Sequence, residues 1–341
     1  MKFLQTVLLT TVLLLSVSVF AQEKDEPLYE EFKNIFSKPY LRLGLLVQFG
    51  GNFQYKPIDF SNGFKLNNFR LKLSGKFDKG IGYAVQTSFT RSPAILDARI
   101  YYELSKAFIV DAGLYKSPFS REFLISSSNT DFINRAQLAD LAPNRQIGIT
   151  ARGLIPNTAL NYSAGVFNGN RFSNAGNDNN DMLYVGRLSF TPDITNGKNK
   201  SNKFEIAVNA AQSNDMSVNI SGIDPMYSGK RLLVGGDARL ELDKWLITGE
   251  VVFGKFEPAF SEEFEPFSYQ ATIGYMFCEK FQALLRWDSF KIDSDLDADE
   301  LVVLGVNIWP TNISKFQVNY VVPVNSIPKH HQLLVNAQIS F

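Results

Sequence analysis

The chain has one cysteine, Cys278, and two histidines, the adjacent His330 and His331, among 341 residues. A single cysteine excludes an intramolecular disulfide, and with it the small secreted scaffolds that depend on bridges. Cys278 reads simply as a small apolar residue beside a turn. The two histidines would point to opposite faces of a strand start, a poor basis for hydrolysis, which needs a nucleophile or water activated by a base, most often His. No catalytic residue is assigned. Net charge is also lacking, since Lys plus Arg and Asp plus Glu each number 34, so nothing suggests a nucleic-acid partner. After residue 20 there is no apolar run of about 18 residues, which excludes a membrane-spanning helix in the mature chain. It does not exclude a β-barrel, whose lipid face occupies only every second residue.

What is present begins with an address. Lys2, the apolar run from Val7 to Phe20 and the small residue Ala21 have the layout of a secretory signal peptide over residues 1–21, cleaved before Gln22. No cysteine stands at the cleavage point, which argues against a lipid anchor. Residues 22–39 form a charged periplasmic segment in which Leu28, Phe32, Ile35 and Phe36 have the spacing of a short amphipathic helix, ended by Pro39.

From Tyr40 the period becomes two, and residues 40–341 read as one barrel domain. Leu41, Leu43, Leu45 and Val47 share one face while Arg42 and Gln48 share the other; Phe69, Leu71 and Leu73 alternate with Arg70, Lys72 and Ser74. The pattern repeats to Leu333, Val335, Ala337, Ile339 and Phe341. Counting gives about sixteen strands of roughly 9 to 13 residues, an even number in the range of bacterial outer-membrane barrels. Connections at Asp78, Ser105, Pro156, Asp243, Glu279 and Pro310 are short, and those near Lys56, Ser117, Asn168, Asn214, Pro258 and Asp293 are mostly longer and more polar; 191–202 is a long exception on the short side. The fold class is therefore all-β, a transmembrane antiparallel β-barrel in the outer membrane, both chain ends on the periplasmic side.

The third external connection stands out, with about 27 irregular residues over 117–143, too long to be idle in a compact domain. Phe119, Phe123, Leu124, Phe132, Ile133, Leu138 and Leu141 give it apolar weight, and Lys116, Arg121, Arg135 and Arg145 outnumber Glu122, Asp131 and Asp140. Folded into the lumen it would narrow a pore with positive charge; packed outside it would be a cap.

The motif from Gly113 through Lys116, Pro118, Phe119 and Glu122, then Ser126 to Ser128, Phe132, Arg135 and Arg145 to Gly148, resembles the phosphate-selective porin O/P family, as does Asn68 to Gly75 with Asp97 and Ala98. The resemblance spans about 40–168. It implies a sixteen-stranded homotrimeric porin whose third external loop folds into the channel, with small anions or other hydrophilic solutes as cargo and outer-membrane lipid around it. The closing Phe341 resembles the C-terminal signal of outer-membrane proteins, which implies a contact with the barrel-assembly machinery.

Selectivity would come from cations along the path. The expected constriction is Lys116, Arg121 and Arg135 with Arg70, Lys72, Arg99, Arg152 and Arg187 on the wall. Arg231, Arg239, Arg286 and Lys315 also face the lumen, but so do Asp97, Glu103, Asp111, Glu205, Asp237, Glu250 and Asp288, a near balance. Two readings stay open: the loop cations tip the constriction toward anions, or each pairs with a lumenal carboxylate and serves only structure. No metal or cofactor is expected, since the acidic run from Asp293 to Glu300 has Ala298 where a calcium loop turns on Gly and Leu304 where Glu should close it. The function read from these features is passive diffusion through a porin, the alternative a non-conducting barrel with an adhesive or structural role for its external loops.

Overall fold

The computed structural model describes residues 31, 34–54, 62–90, 92, 94–171, 176–195, 202–324 and 330–341. The signal peptide over 1–21 lies outside them, as do Leu28 and Phe32 of the expected amphipathic helix; residues 34–36, with Ile35 and Phe36, are helical.

A two-residue strand, β1 (Ser37–Lys38), pairs with Leu41 and Arg42. The wall follows as β2 (Leu41–Gln54), β3 (Gly63–Lys76), β4 (Ile81–Ser88), β5 (Ile95–Ser105), β6 (Phe108–Lys116), β7 (Arg145–Leu154), β8 (Leu160–Phe167) and β9 (Leu183–Phe190). It continues as β10 (Lys203–Ile220), β11 (Asp224–Leu242), β12 (Trp245–Pro258), β13 (Phe267–Cys278), β14 (Phe281–Lys291), β15 (Asp299–Thr311), β16 (Ser314–Pro323) and β17 (Gln332–Ser340). From β2 onward each strand pairs antiparallel with the next, and β17 returns to β2 with Ile339 opposite Val47. The result is a closed barrel of sixteen strands, the number expected. Closure gives every wall strand two partners, which a sheet surrounded by hydrocarbon requires because lipid offers its backbone no hydrogen bonds. The last residue takes part: Leu45 N donates to Phe341 O at 3.0 Å, and Phe341 N donates to Leu45 O at 3.2 Å.

One connection differs from expectation. The chain near Asn214 is not a loop: β10 continues to Ile220 and β11 starts at Asp224, leaving a three-residue turn over 221–223. Alternating burial of Ala211, Ser213 and Asp215 keeps that stretch in strand although Asn214 and Asp215 look like turn formers. The wall strands also range more widely than expected, from 8 residues in β8 to 19 in β11.

Side chains sort as the period of two demands. Leu73, Ile100, Ile149, Val208, Val234, Ile247, Leu304 and Ile339 are exposed on the outer face, while Gln48, Arg70, Asp111, Thr150, Asn209, Gln270, Asn307 and Gln338 are buried on the inner one. Aromatic contacts gather near both ends of the strands, with Phe77 on Tyr83 at 5.5 Å and Trp245 on Tyr275 at 4.8 Å near the short turns, and Phe253 on Phe267 at 4.7 Å toward the other rim. Such girdles sit where an amphipathic ring meets the membrane interface.

One sector of the interior departs from this pattern. Leu183, Val185, Ala211, Leu233, Val252 and Phe256 point inward from consecutive strands and form one apolar core with Phe119, Phe123, Leu138 and Leu141 of the 117–143 loop. Phe119, Leu138 and Leu141 are fully buried. The loop is thus held by a hydrophobic core inside the ring of strands, and the reading of it as an external cap is set aside.

The loop is launched from Gly113 in β6, whose φ of +126° is strained for any L side chain and whose added Cβ would lie 2.1 Å from Ala98 O on β5. Gly113→Ala is expected to destabilise the barrel by at least about 1 kcal/mol, read as a lower urea midpoint of tryptophan fluorescence for the protein folded in lipid vesicles; an unchanged midpoint would show that the wall relaxes freely there.

Candidate functional site

The 117–143 loop lies across the barrel, and its backbone must find partners away from bulk water. Around most of the ring the wall supplies them. Gln48 and Gln338 donate to Ser127 O and Ser128 O at 3.0 and 3.1 Å. Lys315 donates to Thr130 O at 2.7 Å and Asn307 to Asp131 O at 2.9 Å. In the other direction, Ile133 N donates to Asn319 Oδ1 at 2.7 Å, Glu122 N to Glu250 Oε2 at 2.8 Å, and Gln137 N to Asp288 at 3.2 Å. The Arg239 guanidinium clamps Asp131 at 2.7 Å.

Within the loop, one helical turn (Arg121–Leu124) is capped by Ser120, which accepts from Phe123 N. Its C-terminal carbonyls would be orphans. Lys116, the last residue of β6, donates from Nζ to Phe123 O, Leu124 O and Ile125 O at 2.6, 3.1 and 3.0 Å. Arg135 closes the same turn from the other side, donating to Glu122 O and, at 2.6 Å, to Ile125 O. Arg171, in the connection after β8, donates to Asn219 O, Asp140 O and Ala142 O. Burial pushes its guanidinium down to about 10, still protonated at neutral pH, and burial likewise lowers Arg135.

Among the described residues, none of Lys116, Arg135 and Arg171 is within 4.0 Å of a carboxylate oxygen. The hydrogen bonds they make go to neutral carbonyls, with Arg171 Nε left unpartnered, so their charge is not cancelled at contact. All three line a cavity of about 810 Å³ between loop and wall, together with Arg70, Arg145 and Arg286. Arg145 is paired with Asp97 at 3.0 Å and Arg286 with Asp288 at 3.4 Å. Against these six basic residues, the described residues of the lining present two carboxylates, Asp140 and Asp288. Burial raises the Asp140 carboxyl above its ordinary range, against the lowering effect of Arg171.

A second cavity of about 260 Å³ is lined by Lys116 with Arg99, Arg152, Arg187 and Asp111. Here the arginines are neutralised by ion pairs. Asp111 takes Arg152 at 2.5 Å and Arg99 at 3.5 Å, and Arg187 holds Asp237 at 2.5 Å and Glu205 at 2.9 Å.

The eight residues singled out from the sequence therefore divide. Lys116, Arg135 and Arg70 meet at the larger cavity, where Arg70 donates to Ser127 Oγ at 3.1 Å. Arg99, Arg152 and Arg187 meet at the smaller one. Arg121, half-buried on the helical turn, and Lys72, exposed on the inner face of β3, line neither. Sequence reasoning did not place Arg145, Arg171 or Arg286 at the constriction. Arg171 sits in an Asn- and Gly-rich connection with no periodicity to mark it, and only its position inside the fold gives it away.

The family model described as phosphate-selective porin O and P matches residues 46–271. No curated protein matches the chain. Among solved structures the chain is similar to the anion-selective porin from Comamonas acidovorans, with 11% identity, a TM-score of 0.65, and coverage of 88% of this chain and 99% of that one. It is also similar to OmpT, an outer membrane protein of Vibrio cholerae in trimer form, with 9% identity, a TM-score of 0.65 and coverage of 88% and 99%. The outer membrane channel DcaP of Acinetobacter baumannii aligns with 11% identity, a TM-score of 0.61 and coverage of 88% and 97%. At these identities the likeness establishes the fold. Family and fold together point to a channel rather than an enzyme. With its lipid-facing apolar band, its polar interior and a family match over most of its length, the chain belongs to the phosphate-selective porin O and P family, a bacterial outer-membrane barrel through which small solutes diffuse passively.

Proposed function

We propose that this porin prefers anions, and that the larger cavity is where the preference is set. The observation that carries this reading is the bonding of Lys116, Arg135 and Arg171 to backbone carbonyls instead of carboxylates. A cation held by neutral acceptors is fixed in place yet keeps its field, and in a narrow, partly desolvated path such a field raises the local concentration of anions. The smaller cavity, with its compensated arginines, serves as conduit and wall support. The similar Comamonas acidovorans barrel, described as anion-selective, is consistent with this.

The same reading includes an export signal over 1–21, removed on secretion, and a periplasmic segment over 22–39. It includes a homotrimer, as OmpT of Vibrio cholerae is described in trimer form, with lipid against the outer apolar face and the assembly machinery engaging β17 up to Phe341. An adhesive role gains no support from the 221–223 turn, which offers little surface to a partner.

In a planar bilayer with a potassium chloride gradient, the reversal potential should lie on the chloride side. Arg135→Gln and Arg171→Gln should each reduce the chloride-to-potassium permeability ratio, on the order of threefold for a lost charge at such a constriction, while the Lys substitutions retain most of it. A reversal potential at zero or on the potassium side would defeat the reading.

Asp140 supplies a second test. With its carboxyl raised, its negative charge is present above the shifted value and is lost as pH falls through it. Chloride preference should therefore rise as pH is lowered from neutral through the raised range of this carboxyl. Asp140→Asn should already show the higher preference at pH 7 and respond less to acid. A wild-type preference that declines on acidification would contradict this assignment.

A further inference from the structure

The larger cavity is not cationic throughout. The inner face of β15 and β16 should carry polar residues next to a water path, and deeper in the barrel it does, at Asn307, Gln317 and Asn319. At the cavity the same face carries Leu301, Val303 and Val321. Val303 lies directly opposite Val321 on β16 and opposite Arg286 on β14, so a cation and two aliphatic side chains form one row across three strands. Ile133 of the loop faces the cavity beside Arg135, and both Ile133 and Leu301 are half-buried, leaving part of each side chain open. The Arg286 guanidinium also lies 4.6 Å from the centre of the Phe132 ring, which packs with Val303 and Val321.

A hydrated inorganic ion gains nothing from such a strip, since apolar surface beside its path offers no replacement for lost water. An anion with an organic body gains twice, by charge at the head and by removal of apolar area from water along the body. The cavity, about 810 Å³, is within the size range that accommodates small organic ligands. We propose that the channel's preferred cargo is amphipathic organic anions, an oxyanion head carried on an aryl or alkyl body, with the head at the Arg135 and Arg286 side and the body on Ile133 and Leu301. This rests on the anion-preferring reading above and adds the class of anion.

Phenyl phosphate and inorganic phosphate share a head group and differ by the ring. At pH 8 both carry close to two charges. With single channels of the full-length protein passing chloride current, each is titrated as a blocker and the ratio of half-blocking concentrations is taken within the same channel, so changes in open-channel current cancel. Phenyl phosphate is expected to block at about a tenfold lower concentration than phosphate. In Leu301→Gln that advantage should fall at least threefold, and Ile133→Thr, on the loop instead of the wall, should reduce it independently. Equal block by the two anions in a chloride-preferring channel would overturn the amphipathic class and leave the anion reading standing. An undiminished advantage in both variants would also overturn it, because the strip would not be the seat of the preference. A channel without chloride preference would remove the anion reading, and this inference with it.

Discussion

A buried backbone group needs a partner, and most of this molecule can be derived from that requirement. In the wall it is met by closure, β17 on β2, so that no strand edge meets lipid. In the lumen it is harder to meet, because the 117–143 loop brings irregular backbone into an enclosed space. Carbonyls at the end of its Arg121–Leu124 turn attract the strongest donors available, Lys116 and Arg135. On the proposed reading, the two possibilities left open by the sequence, cations for selectivity or cations for structure, are not alternatives. Bonds to carbonyls hold the loop and leave the charge unspent, whereas the Asp111 and Asp237 pairs hold the wall and cancel it.

The outer half of this architecture was legible because lipid leaves a simple record. Leu73, Ile100, Val208 and Ile339 fall on alternate positions, and no competing use of the lipid face obscures them. Sixteen strands followed, whereas the inward third loop was only what the family resemblance implied, since its residues left an outer cap equally open. The inner half was harder to read. Wherever the loop packs on the wall, inward positions are apolar as well, so Leu232-Leu233-Val234 and Val251-Val252-Phe253 lose their alternation, and Leu233 and Val252 could not be assigned to the core. The same applies to Val303 and Val321, hidden among apolar neighbours in Leu301-Val302-Val303-Leu304 and Tyr320-Val321-Val322. Period-two reasoning detects contrast, and a strand apolar on both faces has none.

Charge was legible as composition but not as pairing. A near balance of lumenal cations and carboxylates follows from counting, yet the balance is spatially uneven. Three arginines at the smaller cavity are engaged by carboxylates, and the excess collects at the larger one. Arg171 illustrates the limit: it reaches Asn219 O and Ala142 O, partners far away in the chain, and no local pattern announces either contact.

The turn over 221–223 joins two of the longest strands, of 18 and 19 residues. At about 3.3 Å per residue and a tilt near 45°, such a pair rises well above an apolar band about 25 Å tall. The barrel mouth is therefore lopsided, with a parapet on one side. Ser217, Asn219 and Ser221 of that parapet also line the larger cavity. A substitution on that outward-facing rim therefore also reshapes the cavity wall, so variation at the surface and permeability are coupled through the same few residues.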